Sequence, residues 1–377
     1  MTAGGDYGGS DMIRMTGGIA VMVAAGLAAG AAHAEIKLGL GAPLTGPNAV
    51  VGEQLRRGSE QAIKDINAKG GVLGEQIVLI QADDASNPSQ GVAAANKLIT
   101  QGVAAVIGHY NSAVSIAAAK VYSEEGVVQI SPGSTNPQLT EMGSHTTFRT
   151  CGRDDQQGDV AAQYIAKNFP KARIGILQDQ TTYGRGLADA TRASLAKLGL
   201  KEVVYEAVTV GDRDMSSVIT RMKDAQVDFV YFGGLHTEAG LLVRQMAEKG
   251  MKAKFMAGDG IVSNEFWNIT GATGNGVLNT FGADYRQQPV AAEVVKSFRA
   301  QNYEPEAYTL YSYAAVQAWA QAATQAKSTD PAKVADALHK GSFQTVIGPL
   351  SFNAKGDRTT ADYTVYQWRD GSYTEIK

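Results

Sequence analysis

The chain has 377 residues, 44% hydrophobic and 19% charged, with a formal net charge of −3. That length predicts two domains of ordinary size, each with its own core. The slightly acidic balance leaves no basic excess for a nucleic-acid partner.

Residues 15–34 read MTGGIAVMVAAGLAAGAAHA, an apolar small-residue stretch that follows Arg14 and closes on Ala32-His33-Ala34. This is the layout of a secretory signal peptide. A membrane anchor is the other reading of such a stretch, but the A-x-A ending favours cleavage, so residues 1–34 are expected to be removed and the mature chain to begin at Glu35. The first eleven residues carry Asp6 and Asp11 and no basic residue, which suits a signal poorly, and translation is expected to start at Met12. Past Glu35 no apolar run approaches the ~20 residues that span a bilayer. Cys151 is the only cysteine, so neither an internal disulfide nor a lipid-bearing cysteine after the cleavage site is expected. Free solution in a Gram-negative periplasm fits these features. His109, His145, His236 and His339 show no metal-ligand spacing, and no metal or cofactor is expected.

From Glu35 onward short apolar runs alternate with amphipathic segments, which predicts an α/β fold with mostly parallel sheets. A strand over 36–44 leads to a helix with Leu55, Ala62, Ile63 and Ile66 on one face, stopped by Gly70-Gly71. A strand over 77–84 follows. Asn87-Pro88 then supplies an N-cap and a proline at the first helical position, opening a helix to about Gln101. Strands over 103–108 and 127–131 flank a helix from Ser112. The pattern then restarts: a helix near 156–168, a strand over 173–179, a helix from about Gly184, a strand over 202–208, a helix over 214–225, a strand over 227–234, a helix over 236–249 and a strand into Gly258-Asp259-Gly260. Helices near 290–301 and 305–326 come next. The last apolar segments, 345–353 and 364–368, are too few for a third domain and are expected to complete the two earlier sheets, so the chain should cross between lobes more than once.

In open parallel sheets ligands sit at the carboxyl ends of strands. Read there, the first lobe offers Tyr110, Ser112, Gly133, Ser134 and Thr135, hydroxyls and backbone N–H groups at loop-to-helix junctions that suit a carboxylate. The second lobe offers Tyr183 and Asp259, a carboxylate able to hold an ammonium. Facing each other across a cleft, the two sets suit a zwitterion. Serine and threonine also cap helices, and Asp-Gly also makes turns, so position alone leaves both readings open. Gly39, Gly41 and Gly46 miss the dinucleotide fingerprint, the third glycine falling two residues late. No nucleophile elbow is present, and an enzyme is not expected.

The stretches DINAKGGVLGEQI, DDASNPSQGVAAANKLI, VIGHYNS, QISPGSTNPQLT, RTCGRDDQQG, YGRGLA, FVYFGGLHTEAGLLVRQMAEKG and MAGDG resemble the branched-chain amino-acid (Leu/Ile/Val)-binding family of ABC importers, the type I periplasmic binding proteins. The resemblance runs from Ile36 to near the C-terminus. It implies two Rossmann-like lobes joined by a three-strand hinge: 35–153 with 283–361, and 154–282 with 362–377. It also implies closure around an amino acid that is passed to membrane permease subunits, with the binding protein a monomer. A free binding protein feeding a signalling receptor is the alternative. Carried over by motif, Ser112 binds the α-carboxylate and the Gly133 carbonyl accepts from the α-ammonium. Thr135 contributes its N–H and hydroxyl, Tyr183 is the tyrosine of the YG motif, Asp259 pairs with the ammonium, and Tyr308 is the aromatic near the start of a C-terminal helix. The departures fall in the side-chain pocket. Val51 and Leu235 stand where leucine-binding members carry tyrosine, Tyr110 replaces a smaller aliphatic residue, and Asp259 is one methylene shorter than the usual glutamate. Ser86 and Asn111 occupy the places of a disulfide found in some members. These changes imply a shortened pocket open to proline, alanine or an ω-amino acid such as γ-aminobutyrate.

Overall fold

The computed structural model describes residues 35–360 and 363–376, with residues 1, 2 and 8; the signal segment read above lies outside them. The first lobe alternates strand and helix: β1 (Ile36–Ala42), α1 (Ala49–Asn67), β2 (Ile77–Asp83), α2 (Pro88–Thr100), β3 (Ala105–Gly108), α3 (Ser112–Glu124), β4 (Val128–Ser131), α4 (Gln138–Glu141) and β5 (Thr147–Arg149). The five strands form one parallel sheet in the order β2-β1-β3-β4-β5. Every residue of β3 and β4 is buried, as expected of parallel strands covered by helices on both faces. Asn87 caps α2 as its sequence predicts, accepting from the Ser89 and Gln90 amides.

The second lobe repeats the scheme with α5 (Asp154–Asn168), β6 (Ile174–Gln178), α6 (Thr182–Lys197), β7 (Val204–Ala207), α7 (Ser216–Asp224), β8 (Phe229–Gly233), α8 (His236–Glu248), β9 (Lys254–Ala257), α9 (Asn264–Thr270) and β10 (Leu278–Phe281). Two of these helices begin earlier than the apolar pattern suggests, because polar residues start them. Gln156 Oε1 accepts from the Arg153 amide at 3.1 Å, and Thr181 Oγ1 accepts from Gly184 N at 2.9 Å, each satisfying an orphan donor of the first turn.

The rest of the described chain comprises α10 (Ala292–Arg299), α11 (Ala307–Ala326), α12 (Pro331–Lys340), β11 (Phe343–Thr345), β12 (Gly348–Leu350), β13 (Thr364–Arg369) and β14 (Ser372–Glu375). It serves both lobes. α11 packs along α1, where Ser59 and Ser312 hydroxyls meet at 2.9 Å. A Cβ at Gly58 would collide with the Thr309 carbonyl, so glycine sets that helix spacing. β13 and β14 add antiparallel strands to the second sheet, ordered β14-β13-β10-β9-β8-β6-β7.

One expectation fails here. The 345–353 segment joins neither large sheet: β11 and β12 pair only with each other. Val346 and Ile347 fill the turn and are buried in the first lobe's core, so the hairpin spends its apolar residues on packing and not on extending a ladder. The short elements β5, β10, α9 and α12 carry too little periodicity to be read from sequence, although Asp330-Pro331 marks the start of α12.

Candidate functional site

The carboxyl ends of β2, β3, β4, β6, β8 and β9 converge on a cavity of about 70 Å³, room for several waters or one small organic molecule. It is lined by Ser86, Tyr110, Asn111, Ser112, Ala113, Gly133, Thr181, Tyr183, Leu235, Asp259 and Tyr308. Seven of the sequence-predicted residues meet there: Tyr110, Ser112, Gly133, Tyr183, Leu235, Asp259 and Tyr308.

Three do not. Val51 is buried in the first-lobe core. Ser134 is turned inward: its hydroxyl lies 2.5 Å from that of Ser115 and donates to the Tyr110 carbonyl at 2.9 Å. Thr135 lies behind the lining, buried, its hydroxyl without a hydrogen-bond partner among the described residues. Ser86, Asn111, Ala113 and Thr181 line the cavity but were not proposed as ligand residues from sequence; all four follow strand ends, and that position was the available signal.

On the first-lobe side, Ser112 and Ala113 open α3, a 13-residue helix, so unsatisfied backbone N–H groups and the positive end of the helix dipole face the cavity. The loops beside it are fixed from behind. Ser131 Oγ donates to His109 O at 2.8 Å, Gln129 Nε2 to Gly108 O at 3.1 Å, and His109 Nδ1 lies 2.7 Å from Asp84 Oδ2. The Arg149 guanidinium donates to the Ser134 and Asn136 carbonyls at 2.7 and 3.0 Å and pairs with Asp357 at 2.9 Å. Gly133 permits the Tyr110 ring to lie against its backbone, where a Cβ would clash. Tyr110 and Tyr308 then meet edge to face, centroids 5.2 Å apart.

On the second-lobe side, Asp259 is 2% exposed yet richly hydrogen-bonded. Tyr183 donates to Oδ1 at 2.8 Å, Gln157 Nε2 to the same oxygen at 3.0 Å, and Tyr308 to Oδ2 at 3.2 Å. Burial pushes its carboxyl above the usual range, and the three donors hold the shift back. Gln157 also fixes the backbone, accepting from Asp259 N at 2.7 Å; it lies in the RDDQQG stretch and was not singled out from sequence. Asp179, behind Thr181, is pushed up to about 6 by burial, against the pull of the Thr181 hydroxyl and amide. Among the described residues no arginine, lysine or histidine lines the cavity.

The lobes touch across the cleft. Tyr308, from the first lobe, reaches Asp259 of the second; Asn136 Nδ2 donates to Thr182 O at 2.9 Å; Asn264 N donates to Glu306 Oε2 at 3.1 Å. His236 opens α8 fully buried, its imidazole pKa lowered by burial, with Glu265 and the Pro47 carbonyl opposing that shift. Both lobes thus contribute walls to the cavity. Among the described residues no helix is long and apolar enough to cross a membrane.

The profile of the periplasmic binding protein family matches residues 35–372. The chain belongs to that family. It is 54% identical over 352 residues to Leu/Ile/Val-binding protein homolog 1 of Brucella suis, covering 92% of this chain and 95% of that protein. It is 50% identical to a protein of Pseudomonas aeruginosa named amino acid binding protein, over 92% and 93% of the two chains. The crystal structure of LivJ from Streptococcus pneumoniae, a branched-chain amino acid transporter substrate-binding protein in complex with isoleucine, superposes with a TM-score of 0.82 at 27% identity, over 90% of this chain and 98% of that one. A solute-binding protein of an ABC transporter from R. palustris, in complex with benzoate, shares the fold at a TM-score of 0.82 and 20% identity, over 91% and 96%. The type I, two-lobed architecture expected from the sequence is therefore established, and the chain is a periplasmic substrate-binding protein, not an enzyme.

Proposed function

We propose that the cleft binds a small amino acid as its zwitterion and hands it to the permease subunits of an ABC importer. The observation that carries this reading is Asp259: a buried carboxylate supplied with neutral donors, in a cavity lined by no basic side chain among the described residues, calls for a ligand that brings its own cation. The α3 N-terminus with Ser112 supplies the complementary carboxylate site. A plain aromatic acid would meet Asp259 with no charge to offer it, so the benzoate-bound relative lends only its fold. Relatives named for leucine, isoleucine and valine support an aliphatic amino acid, while Tyr110 and Tyr308 narrow the side-chain end and favour short chains such as alanine, proline or γ-aminobutyrate over leucine. Transport-protein relatives support delivery to an importer and give a signalling receptor no separate support.

We further propose lobe limits at 35–153 with 283–361 and at 154–282 with 362–377, a cleaved segment 1–34, and a monomer. The passages of the described chain from β5 to β6 and from β10 to α11 support the first two limits, while the third falls at residues outside the described ones. Thermal-shift measurements on the 35–377 chain, stripped of ligand by unfolding and refolding, test the ligand reading. A large shift with α- or ω-amino acids is the expected result. A shift only with acids lacking an amine would remove the Asp259 assignment, and leucine far above alanine, proline and γ-aminobutyrate would remove the role given to Tyr110.

A further inference from the structure

Ser86 follows β2 and lies in the cavity wall. Its φ is +58°, in the left-handed region that few residues with a side chain adopt. Asp84 holds it there: Oδ1 accepts from Ser86 N at 2.9 Å, while Oδ2 lies 2.7 Å from His109 Nδ1. One carboxylate thus ties the loop after β2 to the loop after β3 that leads into Ser112. Both serines line the same cavity.

A serine hydroxyl has one hydrogen and two lone pairs. At Ser86 a lone pair is taken, because Asn48 Nδ2 donates to Oγ at 2.9 Å. The Ser86 hydroxyl gives its own hydrogen to no acceptor among the described residues. Asn48 is the N-cap of α1, a position where asparagine ordinarily accepts from its own helix. Here its buried side chain makes no capping bond and is spent on Ser86. Ser112 is set in the same way, Asn136 N donating to its Oγ at 3.4 Å. A hydroxyl that already accepts from an amide is left to act as a donor. The first-lobe wall therefore holds two serine hydroxyls, from two loops, each with a hydrogen to give.

We propose that Ser86 is a second hydroxyl donor to the ligand's carboxylate, beside Ser112 and the α3 N-terminus, and that Asn48 is the positioning residue that keeps the Ser86 hydrogen free for the ligand. The identity of the acceptor rests on the zwitterion reading. A carboxylate has two oxygens and about four acceptor sites, so it takes both serines and the helix amides at once, while Asp259 faces the other end of the molecule.

The test uses the 35–377 chain in calorimetric titrations with L-alanine, L-proline, L-leucine and γ-aminobutyrate. Ser86→Ala should weaken every one of these that binds by about tenfold, the loss of one hydrogen bond to a charged group, because the carboxylate is common to all. Ser86→Gly, whose backbone suits the left-handed φ, should match it, so a folding defect in the alanine variant cannot hide the result. Asn48→Asp keeps the Ser86 hydroxyl but faces it with an acceptor that captures its hydrogen, and should cost about as much. In a Ser86→Ala background the same change should cost less than about twofold, since the two residues act as one unit. Wild-type affinity retained in Ser86→Ala and Ser86→Gly overturns the contact. A loss confined to one ligand places the contact at the side chain and overturns the carboxylate assignment. Asn48→Asp weakening binding equally with and without the Ser86 hydroxyl is plain charge repulsion and overturns the role of Asn48. Wild-type protein that binds none of the four overturns the zwitterion reading, and this inference with it.

Discussion

At the first-lobe end of the cleft the polar groups behind the lining are largely spent on one another: Ser131 on the His109 carbonyl, Ser134 on Tyr110, Arg149 on Asp357 and two loop carbonyls. What faces the cavity is the N-terminus of α3 with Ser112, beside Tyr110 and Gly133. At the second-lobe end the arrangement is reversed, with a buried acid at the cavity wall steadied by two phenols and an amide. The first end is rigid and cheap to leave empty. The second carries an electrostatic cost that a cationic group relieves. On the proposed reading, selection for an amine resides in the second lobe, and selection for a carboxylate in the first.

The sharpest break of this contrast is Asp259→Ala. It leaves a bound ammonium buried without a partner, a loss of roughly 3–5 kcal/mol, and calorimetry should show affinity falling by more than a hundredfold. On the opposite side, Ser112→Ala removes one hydrogen bond to a charged group, worth about 1.5–3 kcal/mol; a loss near or above tenfold is expected. A loss as large as that of Asp259→Ala would show that the first lobe is not the passive half.

Tyr308→Phe sharpens the comparison further, since it removes a donor that crosses the cleft. About 1 kcal/mol of affinity should go, and the Asp259 carboxyl should rise further. The pH dependence has a definite sign. Burial raises this carboxyl above the ordinary value, so without ligand the native chain holds a proton there more readily than the unfolded chain does. Native stability from this group is fullest at low pH and declines as pH rises through the raised pKa. Ligand needs the ionised form, so affinity runs the other way and weakens as pH falls through the same range. Titrations across pH 4–8 should show that acid limb in wild type, shifted upward in Tyr308→Phe and absent in Asp259→Asn. The smallest effect expected is Tyr110→Leu: with room for one or two more methylenes at ~0.8 kcal/mol each, the affinity ratio of leucine to alanine should rise several-fold.

The alternation of 36–131 and 156–257 made the two sheets legible, because parallel strands buried on both faces are continuous apolar runs bounded by turns. The site was legible for a related reason: Ser112, Gly133, Tyr183 and Asp259 each follow a strand, and strand ends converge. Rotation about the loop is what sequence does not show. Ser134 and Thr135 sit beside Gly133 in the chain, yet the backbone turns both side chains inward. Gln157 escaped notice because it acts from a helix, through Asp259, and not from a strand end. The 345–353 hairpin misled because its apolar residues lie in the turn.

Strand β13 pairs with β10 in the second sheet, and α11 lies against α1 in the first. Neither lobe is a continuous length of chain. A chain emerging from the ribosome or threading through an export channel therefore has all five strands of the first sheet long before the helix that covers them, and waits for residues beyond 363 before the second sheet is whole. Neither lobe can therefore be completed until the C-terminal segments are available.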